Sequence, residues 1–138
     1  MQVTVNKIGA VLCLELQGRL DISIPKGFEG ALLRLIEQGE THLVFDFAQV
    51  EHVSSSGLRV LLRAFKKVTY ANGRMAFHSL SERVRRVFDV AGLTLVFRIY
   101  ETREEALGGV LYTRMLPINI LDSLQQQRVG DASPEGAR

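Results

Sequence analysis

The feature that most constrains this fold is an apolar run followed by a serine-rich turn and a helical repeat, within residues 43–68. Residues 43–47 have the length and apolar character of a strand that is buried on both faces. A polar turn leads to three serines and a glycine at 54–57, and from Leu58 to Val68 apolar residues recur at helical spacing. Because serine is preferred at a helix N-cap, the stretch predicts a strand, a turn and a helix, with hydroxyl groups at the positive end of the helix dipole.

The rest of the chain repeats this alternation after an initial hairpin. Apolar residues between Val3 and Gln17 predict two strands joined by a tight turn at 7–9. Further strands are predicted at 42–47, 74–78 and 95–99, and helices at about 23–38, 56–71, 82–90 and from Thr102 onward. Alternating strands and helices imply parallel pairing and right-handed crossovers. The expected fold class is therefore α/β, with a mixed, mostly parallel sheet of about five strands and helices mainly on one side.

Composition restricts the class of protein further. The chain has 138 residues, of which 46% are apolar and 23% charged, as expected for one globular domain. Its 17 basic and 15 acidic residues are too evenly matched to predict nucleic acid as a direct partner. The sequence contains neither a signal-peptide pattern nor an apolar stretch of roughly 20 residues, and the single Cys13 suits a reducing compartment. We therefore expect a cytoplasmic protein without membrane insertion.

Three separated motifs carry a family resemblance. Residues 43–62 resemble the signature of the anti-sigma factor antagonists, the founding members of the STAS domain family, and residues 18–21 are similar to the family's Gly-x-Leu-Asp. Residues 83–93 are similar to the family helix that ends in an apolar-x-Gly-Leu step. The resemblance implies a STAS fold over residues 1–110. Residues 111–138 are then a C-terminal extension, expected to be partly helical and, from about Gln125, a flexible tail because so few apolar residues remain.

The resemblance also implies a phosphoacceptor. Aligned on Gly57, the serine that receives phosphate from a partner serine kinase is Ser55, and Ser56 fills the Ser/Thr position before the glycine. The aspartate of the family pattern falls on Ser54, so a carboxylate that contributes to kinase recognition is missing here. The alternative interpretation is that these serines only cap a helix.

The topology predicts one binding surface around this acceptor. Loops at the carboxyl ends of neighbouring parallel strands meet at one edge of a sheet, so Asp21 should lie beside the serine turn. The predicted partner-binding residues are Asp21, Ser54, Ser56, Gly57, Leu58 and Arg59. Basic residues on the serine helix and at 83, 85 and 86 are most simply explained as solvated surface. The alternative is that the basic stripe, which begins beside the serines, meets an acidic partner.

The expected function is that of a phosphorylation-switched binding module in signal transduction. As the resemblance implies, an anti-sigma factor antagonist binds an anti-sigma factor that is also a serine kinase and so releases a sigma factor. A metal-dependent serine phosphatase reverses the phosphorylation. No cofactor is expected, and the protein should be a monomer or weak dimer. Two alternatives remain: an accessory STAS subunit of a membrane lipid transporter, and a partner-switching regulator of a non-sigma output.

Catalysis is not predicted. His42, His52 and His78 are scattered and lack metal-binding spacing, so neither a metal site nor a catalytic residue is assigned. Ser55, His52 and Asp46 do not form a plausible triad, because residues so close in sequence on a strand and its turn point in different directions. The Gly-x-Ser-x-Gly nucleophile elbow is absent from the sequence as well.

Overall fold

The structure of the protein is a computed structural model that describes residues 1–22 and 24–112. In this part of the chain, a five-stranded sheet has three helices packed on one face and a fourth on the other. The elements are β1 (Gln2–Ile8), β2 (Val11–Leu20), α1 (Phe28–Glu37), β3 (His42–Val53), α2 (Ser55–Tyr70), β4 (Arg74–His78), α3 (Glu82–Val90), a 3₁₀ turn (Leu93–Leu95), β5 (Arg98–Tyr100) and α4 (Arg103–Tyr112). The C-terminal extension beyond Tyr112 lies outside the described residues.

The spatial order of the strands is the same as their order in the chain. The sheet runs β1-β2-β3-β4-β5, with β1 antiparallel to β2 and the other neighbours parallel. The tight turn between β1 and β2 uses Gly9, whose positive φ of 60° is readily adopted by glycine. These pairings confirm the predicted mixed, mostly parallel sheet with helices mainly on one side.

The main hydrophobic core lies between the sheet and the helices α1, α2 and α3. Alternate residues of β3 point into it, and Phe77 of β4 contacts the rings of four other phenylalanines, with centroid distances from 4.8 to 5.8 Å. Those four are Phe45, Phe47, Phe88 and Phe97. The opposite face of the sheet has a smaller core, in which Val44 packs with Ala106 and Val110 of α4. Both faces of β3 are therefore covered, in agreement with its continuous apolar start.

Strands β2 and β3 are longer than the sequence patterns predict. β2 continues beyond Gln17 to Leu20, and β3 continues beyond Phe47 to Val53. The expected polar turn after residue 47 is thus wrong, because the two strands resume pairing after irregularities and Val53 becomes buried opposite Leu20. The extension brings the end of β3 directly to Ser54, which precedes α2.

The starts of α1 and β5 also differ from the predictions. α1 begins at Phe28 rather than near residue 23, because Ile24 and Phe28 donate backbone hydrogen bonds to Asp21 and Pro25 in turns. The strand expected at 95–99 starts only at Arg98, after the 3₁₀ turn. In that turn Phe97 donates a backbone hydrogen bond to Leu93, and burial of this pair replaces the alternation of a strand.

Candidate functional site

The candidate site lies where β2 and β3 end side by side. Leu20 is paired with Val53, and the next residue, Ser54, donates its backbone N–H to the Leu20 carbonyl at 2.9 Å. This contact places the loop that starts at Asp21 next to the N-terminus of α2. Asp21 is held there by an ion pair with Arg19, with 2.9 Å between Oδ2 and Nε.

Gly57 determines how closely α2 approaches the end of β2. It is buried in the first turn of α2, and a Cβ built on it would lie 2.3 Å from the Leu20 carbonyl oxygen. That separation is shorter than non-bonded atoms tolerate, so a side chain at this position would displace the helix. Gly57 therefore has a packing role beneath the site, whereas the serines that precede it are more accessible.

Adjacent serines face different grooves. Ser56 and Asp21 line a groove of about 560 Å³ between α1 and α2, which we call the α1/α2 groove. Arg59 lines the same groove, and Ile22 at its edge is 91% exposed. The remaining lining residues are Ile24, Pro25, Lys26, Gly27, Glu29, Gly30, Val60 and Arg63. Asp21, Ser56 and Arg59 thus share one surface.

Ser55 lies on the other side of the same helix start. It is exposed and lines a groove of about 610 Å³ between α2 and α3, which we call the α2/α3 groove. The other lining residues are Val53, Ser54, Leu58, Arg83, Arg86, Val87, Val90 and Ala91. The walls are mainly apolar, and Val90 is 85% exposed. Five of the predicted partner-binding residues therefore divide between two grooves that flank the start of α2, whereas the sixth, Gly57, is buried and lines neither groove.

The side chain of Ser54 does not cap α2. Ser54 occupies the N-cap position of α2 with an extended backbone, but its side chain accepts no capping hydrogen bond. Its Oγ instead points towards the Leu20 carbonyl at 3.5 Å, a long contact. In α3, by contrast, Ser81 Oγ accepts a hydrogen bond from the Val84 N–H at 3.1 Å. The interpretation that the α2 serines serve only as a cap is thus not supported at Ser54.

Charge around the site is predominantly positive on α2. The helix contains four basic residues and no acidic one. Arg63 makes a two-pronged contact with Glu29 of α1 at 2.9 and 3.1 Å, so it is bound across the α1/α2 groove. Lys67 pairs with Glu37, and this hydrogen bond lowers the pKa of the Glu37 carboxyl. Part of the expected solvated face therefore ties α2 to α1, while Arg59 has no ion-pair partner within the described residues.

The structure places Arg83 and Arg86 in the same groove as Ser55, and the sequence patterns do not predict this neighbourhood. The charge pattern predicts solvated surface for both, yet both line the α2/α3 groove together with Ser55. A signal is present in the sequence, because residues three apart on a helix share one face and α3 follows the next strand after α2. Arg85, which lies between them in sequence, does not line this groove.

The described residues contain no cluster of side chains suited to hold a metal ion. No hydrogen bond links Ser55 to a histidine or a carboxylate, and no cluster of three or more His, Cys, Asp or Glu side chains is present there. Burial raises the pKa of the Cys13 thiol, which therefore stays protonated near neutral pH. Among the described helices, none is long and apolar enough to cross a membrane.

Comparison with known proteins agrees with this arrangement. The chain is 31% identical over 110 residues to the anti-sigma-F factor antagonist RsfB of Mycobacterium tuberculosis, covering 78% of this chain and 88% of RsfB. Its fold matches the crystal structure of an anti-sigma factor antagonist from Mycobacterium paratuberculosis, with a TM-score of 0.71, 25% identity and coverage of 79% and 92%. The fold also matches the Bacillus cell fate determinant SpoIIAA in its phosphorylated form, with a TM-score of 0.63, 23% identity and coverage of 79% and 99%.

The family model for the STAS domain matches residues 2–106, which include every described strand and the first part of α4. This match contains the ends of β2 and β3, the start of α2 and both flanking grooves. The chain therefore belongs to the STAS domain family.

Proposed function

We propose that the protein is an anti-sigma factor antagonist: a binding module that engages an anti-sigma factor and is switched by phosphorylation of Ser55. The observation that carries the proposal is the exposed Ser55, which is the first residue of α2 and lines the α2/α3 groove, in a chain related to named antagonists. In this proposal the anti-sigma factor is also the serine kinase. Binding of the unphosphorylated protein frees a sigma factor.

The two grooves supply a surface suited to such a partner. Exposed apolar side chains lie on both sides of the start of α2. Ile22 lies in the α1/α2 groove and Val90 in the α2/α3 groove. Their burial in a complex would stabilise it by roughly 25 cal/mol per Å² of apolar surface. Arg59 supplies positive charge between them and fits an acidic group on the partner.

The phosphorylation step uses the hydroxyl of Ser55 as the nucleophile. Its oxygen attacks the γ-phosphorus of ATP bound to the kinase, the hydroxyl proton passes to a base on the kinase, and ADP leaves. The product at position 55 carries a charge of about −1.5 to −2 near neutral pH. A helix start without acidic residues in its first turn tolerates this charge, so the domain stays folded.

The phosphate changes the binding surface and leaves the fold in place. It adds negative charge and bulk at a position that the partner must approach closely, and the contact must then desolvate an anion. Since each 1.4 kcal/mol changes affinity about tenfold, a few kcal/mol are sufficient to release a micromolar partner. A metal-dependent serine phosphatase would reset the switch by transferring the phosphoryl group to water, and the protein would act as a monomer or weak dimer.

Two other roles are compatible with the same fold. An accessory subunit of a membrane lipid transporter would need no phosphorylation, whereas a partner-switching regulator of a non-sigma output would use the same serine. The antagonist role is favoured because the named relative at 31% identity is an anti-sigma-F factor antagonist.

The test compares Ser55→Asp and Ser55→Ala with wild type in calorimetric titrations against the anti-sigma kinase encoded in the same organism. Ser55→Asp places negative charge in the contact and should weaken binding at least tenfold, whereas Ser55→Ala adds no charge and should bind as wild type does. Asp21→Ala should also weaken binding, because Asp21 lines the α1/α2 groove. The matched pair Ser56→Asp and Ser56→Ala should leave phosphorylation of Ser55 intact.

Circular dichroism and thermal unfolding of each variant verify that the fold is retained. Mass spectrometry after incubation with the kinase and ATP should locate phosphate on Ser55. Equal affinity of wild type, Ser55→Asp and Ser55→Ala, together with no phosphate on any serine, would contradict the proposal and favour the transporter-subunit role.

A further inference from the structure

The α2/α3 groove joins the proposed phosphoacceptor to two arginines on another helix. We propose that Arg83 and Arg86 form an intramolecular receptor for the phosphate on Ser55. The phosphorylated side chain would bind back across the groove and connect the start of α2 to α3. The inference deepens the proposed function, and it rests on that function only for the occurrence of phosphorylation in the cell.

The positions of the two arginines support such a receptor. Arg83 and Arg86 are three residues apart on α3, and both line the groove that Ser55 lines. Both are exposed, and neither takes part in an ion pair within the described residues. A guanidinium group presents several N–H donors in a fixed plane and binds a phosphate through two parallel hydrogen bonds. The arginines are thus placed to receive the phosphate without first giving up a carboxylate.

The walls of the groove strengthen this interaction. Val53, Leu58 and Val87 line it beside the serine and the arginines, so a phosphate bound there would face apolar groups on one side and water on the other. Opposite charges attract more strongly where the effective dielectric constant is lower. The α1/α2 groove offers a less favourable site, because among the described residues it has one arginine outside an ion pair, Arg59, beside the Asp21 carboxylate, and its second arginine, Arg63, is paired with Glu29. Ser55 is therefore better placed than Ser56 to have its phosphate bound by arginine.

An internal receptor changes how the switch works. The phosphate would neutralise Arg83 and Arg86 and fill the apolar groove between α2 and α3 in the same event. A partner would then lose two cationic contacts and a groove, in addition to meeting a new negative charge. The phosphorylated form would also be more stable, because the contact ties α3 to the start of α2.

The experiment uses the full chain with phosphoserine incorporated at position 55 by genetic encoding, so that no kinase is required. Phosphorus NMR gives the second pKa of the phosphate, which is about 6 for free phosphoserine. In the otherwise wild-type chain we expect a lower value, since nearby cations favour the dianion. In Arg83→Gln/Arg86→Gln the value should be about half a pH unit or more higher than in that chain.

Arg85→Gln is the matched control, because Arg85 lies on the same helix but not in the groove. The Arg85→Gln chain should retain the low second pKa of the phosphate. Phosphorylation should raise the thermal midpoint of the Arg85→Gln chain and of the otherwise wild-type chain, but not that of Arg83→Gln/Arg86→Gln. The same pKa in all three chains, or the same rise in midpoint in all three, would overturn the receptor. Since no partner takes part, failure here would leave the binding result for Ser55→Asp unaffected, and the two proposals fail separately.

Discussion

At the scale of single residues, Gly57 couples the site to the fold. A methyl group at this position would overlap the Leu20 carbonyl oxygen, because a Cβ there would lie only 2.3 Å from it. We predict that Gly57→Ala lowers the free energy of unfolding by about 1–3 kcal/mol or more through this overlap. Urea denaturation followed by circular dichroism measures the loss.

Gly30→Ala provides the control for that substitution. Gly30 is exposed on α1, and the nearest atom to an added Cβ is the end of the flexible Arg34 side chain at 3.9 Å. Alanine is a better helix former than glycine, so Gly30→Ala should stabilise the protein by about 0.5–1 kcal/mol. Equal effects of the two substitutions would show that close approach at Leu20 is not what requires glycine at position 57.

His78 makes stability depend on pH. It is 3% exposed at the end of β4; burial lowers its pKa, and Arg103 acts in the same direction, while Asp46 and Glu104 oppose the shift. As pH falls through about 6.5, the unfolded chain takes up a proton on this residue before the folded chain does. The free energy of unfolding should therefore decrease as pH falls from about 7 towards 5.

Chemical denaturation at several pH values measures this dependence, and His78→Gln, which cannot titrate, should show a weaker one. Gln retains hydrogen-bonding groups near Ser79, whose Oγ lies 2.8 Å from His78 Nδ1. If wild type and His78→Gln lost the same free energy of unfolding over this pH range, the buried histidine would not be the source of the pH dependence.

At the scale of secondary-structure elements, α2 and α3 both have serine at the N-cap position, but only the serine of α3 makes a capping hydrogen bond with its side chain. Ser81 Oγ accepts a hydrogen bond from the Val84 N–H, whereas the Ser54 side chain makes no such bond at α2. Ser81→Ala should therefore cost about 1 kcal/mol of stability, and Ser54→Ala clearly less. Thermal and urea unfolding of both variants make the comparison, and a larger loss at Ser54 would contradict it.

These elements also show how much of the secondary structure can be predicted from the sequence. Strong local signals are confirmed, such as the strand at 74–78, which is β4, and the helix start at Thr102. At that start, reciprocal hydrogen bonds of 3.2 Å join Thr102 and Glu105. The length of β3 is not predictable, because its second half is stabilised by pairing with β2 rather than by its own apolar pattern. The 3₁₀ turn at Leu93–Leu95 escapes prediction for a similar reason, since burial of Phe97 decides it.

Only part of the candidate site can be predicted from the sequence. The neighbourhood of Asp21 and the serines follows from parallel topology alone, since both loops leave adjacent strands at the same edge. Which serine faces which groove depends on the rotation of α2 about its axis, and Gly57 fixes that rotation against Leu20. The spacing of Arg83 and Arg86 places them on one face of α3, but the groove that this face lines depends on the tertiary position of α3, which no local pattern encodes.

At the scale of the whole molecule, the STAS domain should fold without the last residues of the chain. The main and the smaller core are both formed within residues 1–112, and from Gln125 onward the sequence has almost no apolar residues. A chain that ends at residue 124 should therefore keep its thermal midpoint within a few degrees of the full chain. Scanning calorimetry of both chains provides the measurement, and loss of a cooperative transition would show that the tail contributes to the fold.

The identical order of strands in the chain and in the sheet has a consequence for synthesis. The ribosome releases the protein from its N-terminus, so from β2 onward each new strand pairs with the strand synthesised just before it and adds at the growing edge of the sheet. No earlier pairing has to open to admit a later strand, and no strand waits for a distant segment. Later strands are thus added at one edge of the sheet, while β1 forms the opposite edge from the start, and the position of the edge open to association between nascent chains moves with each strand.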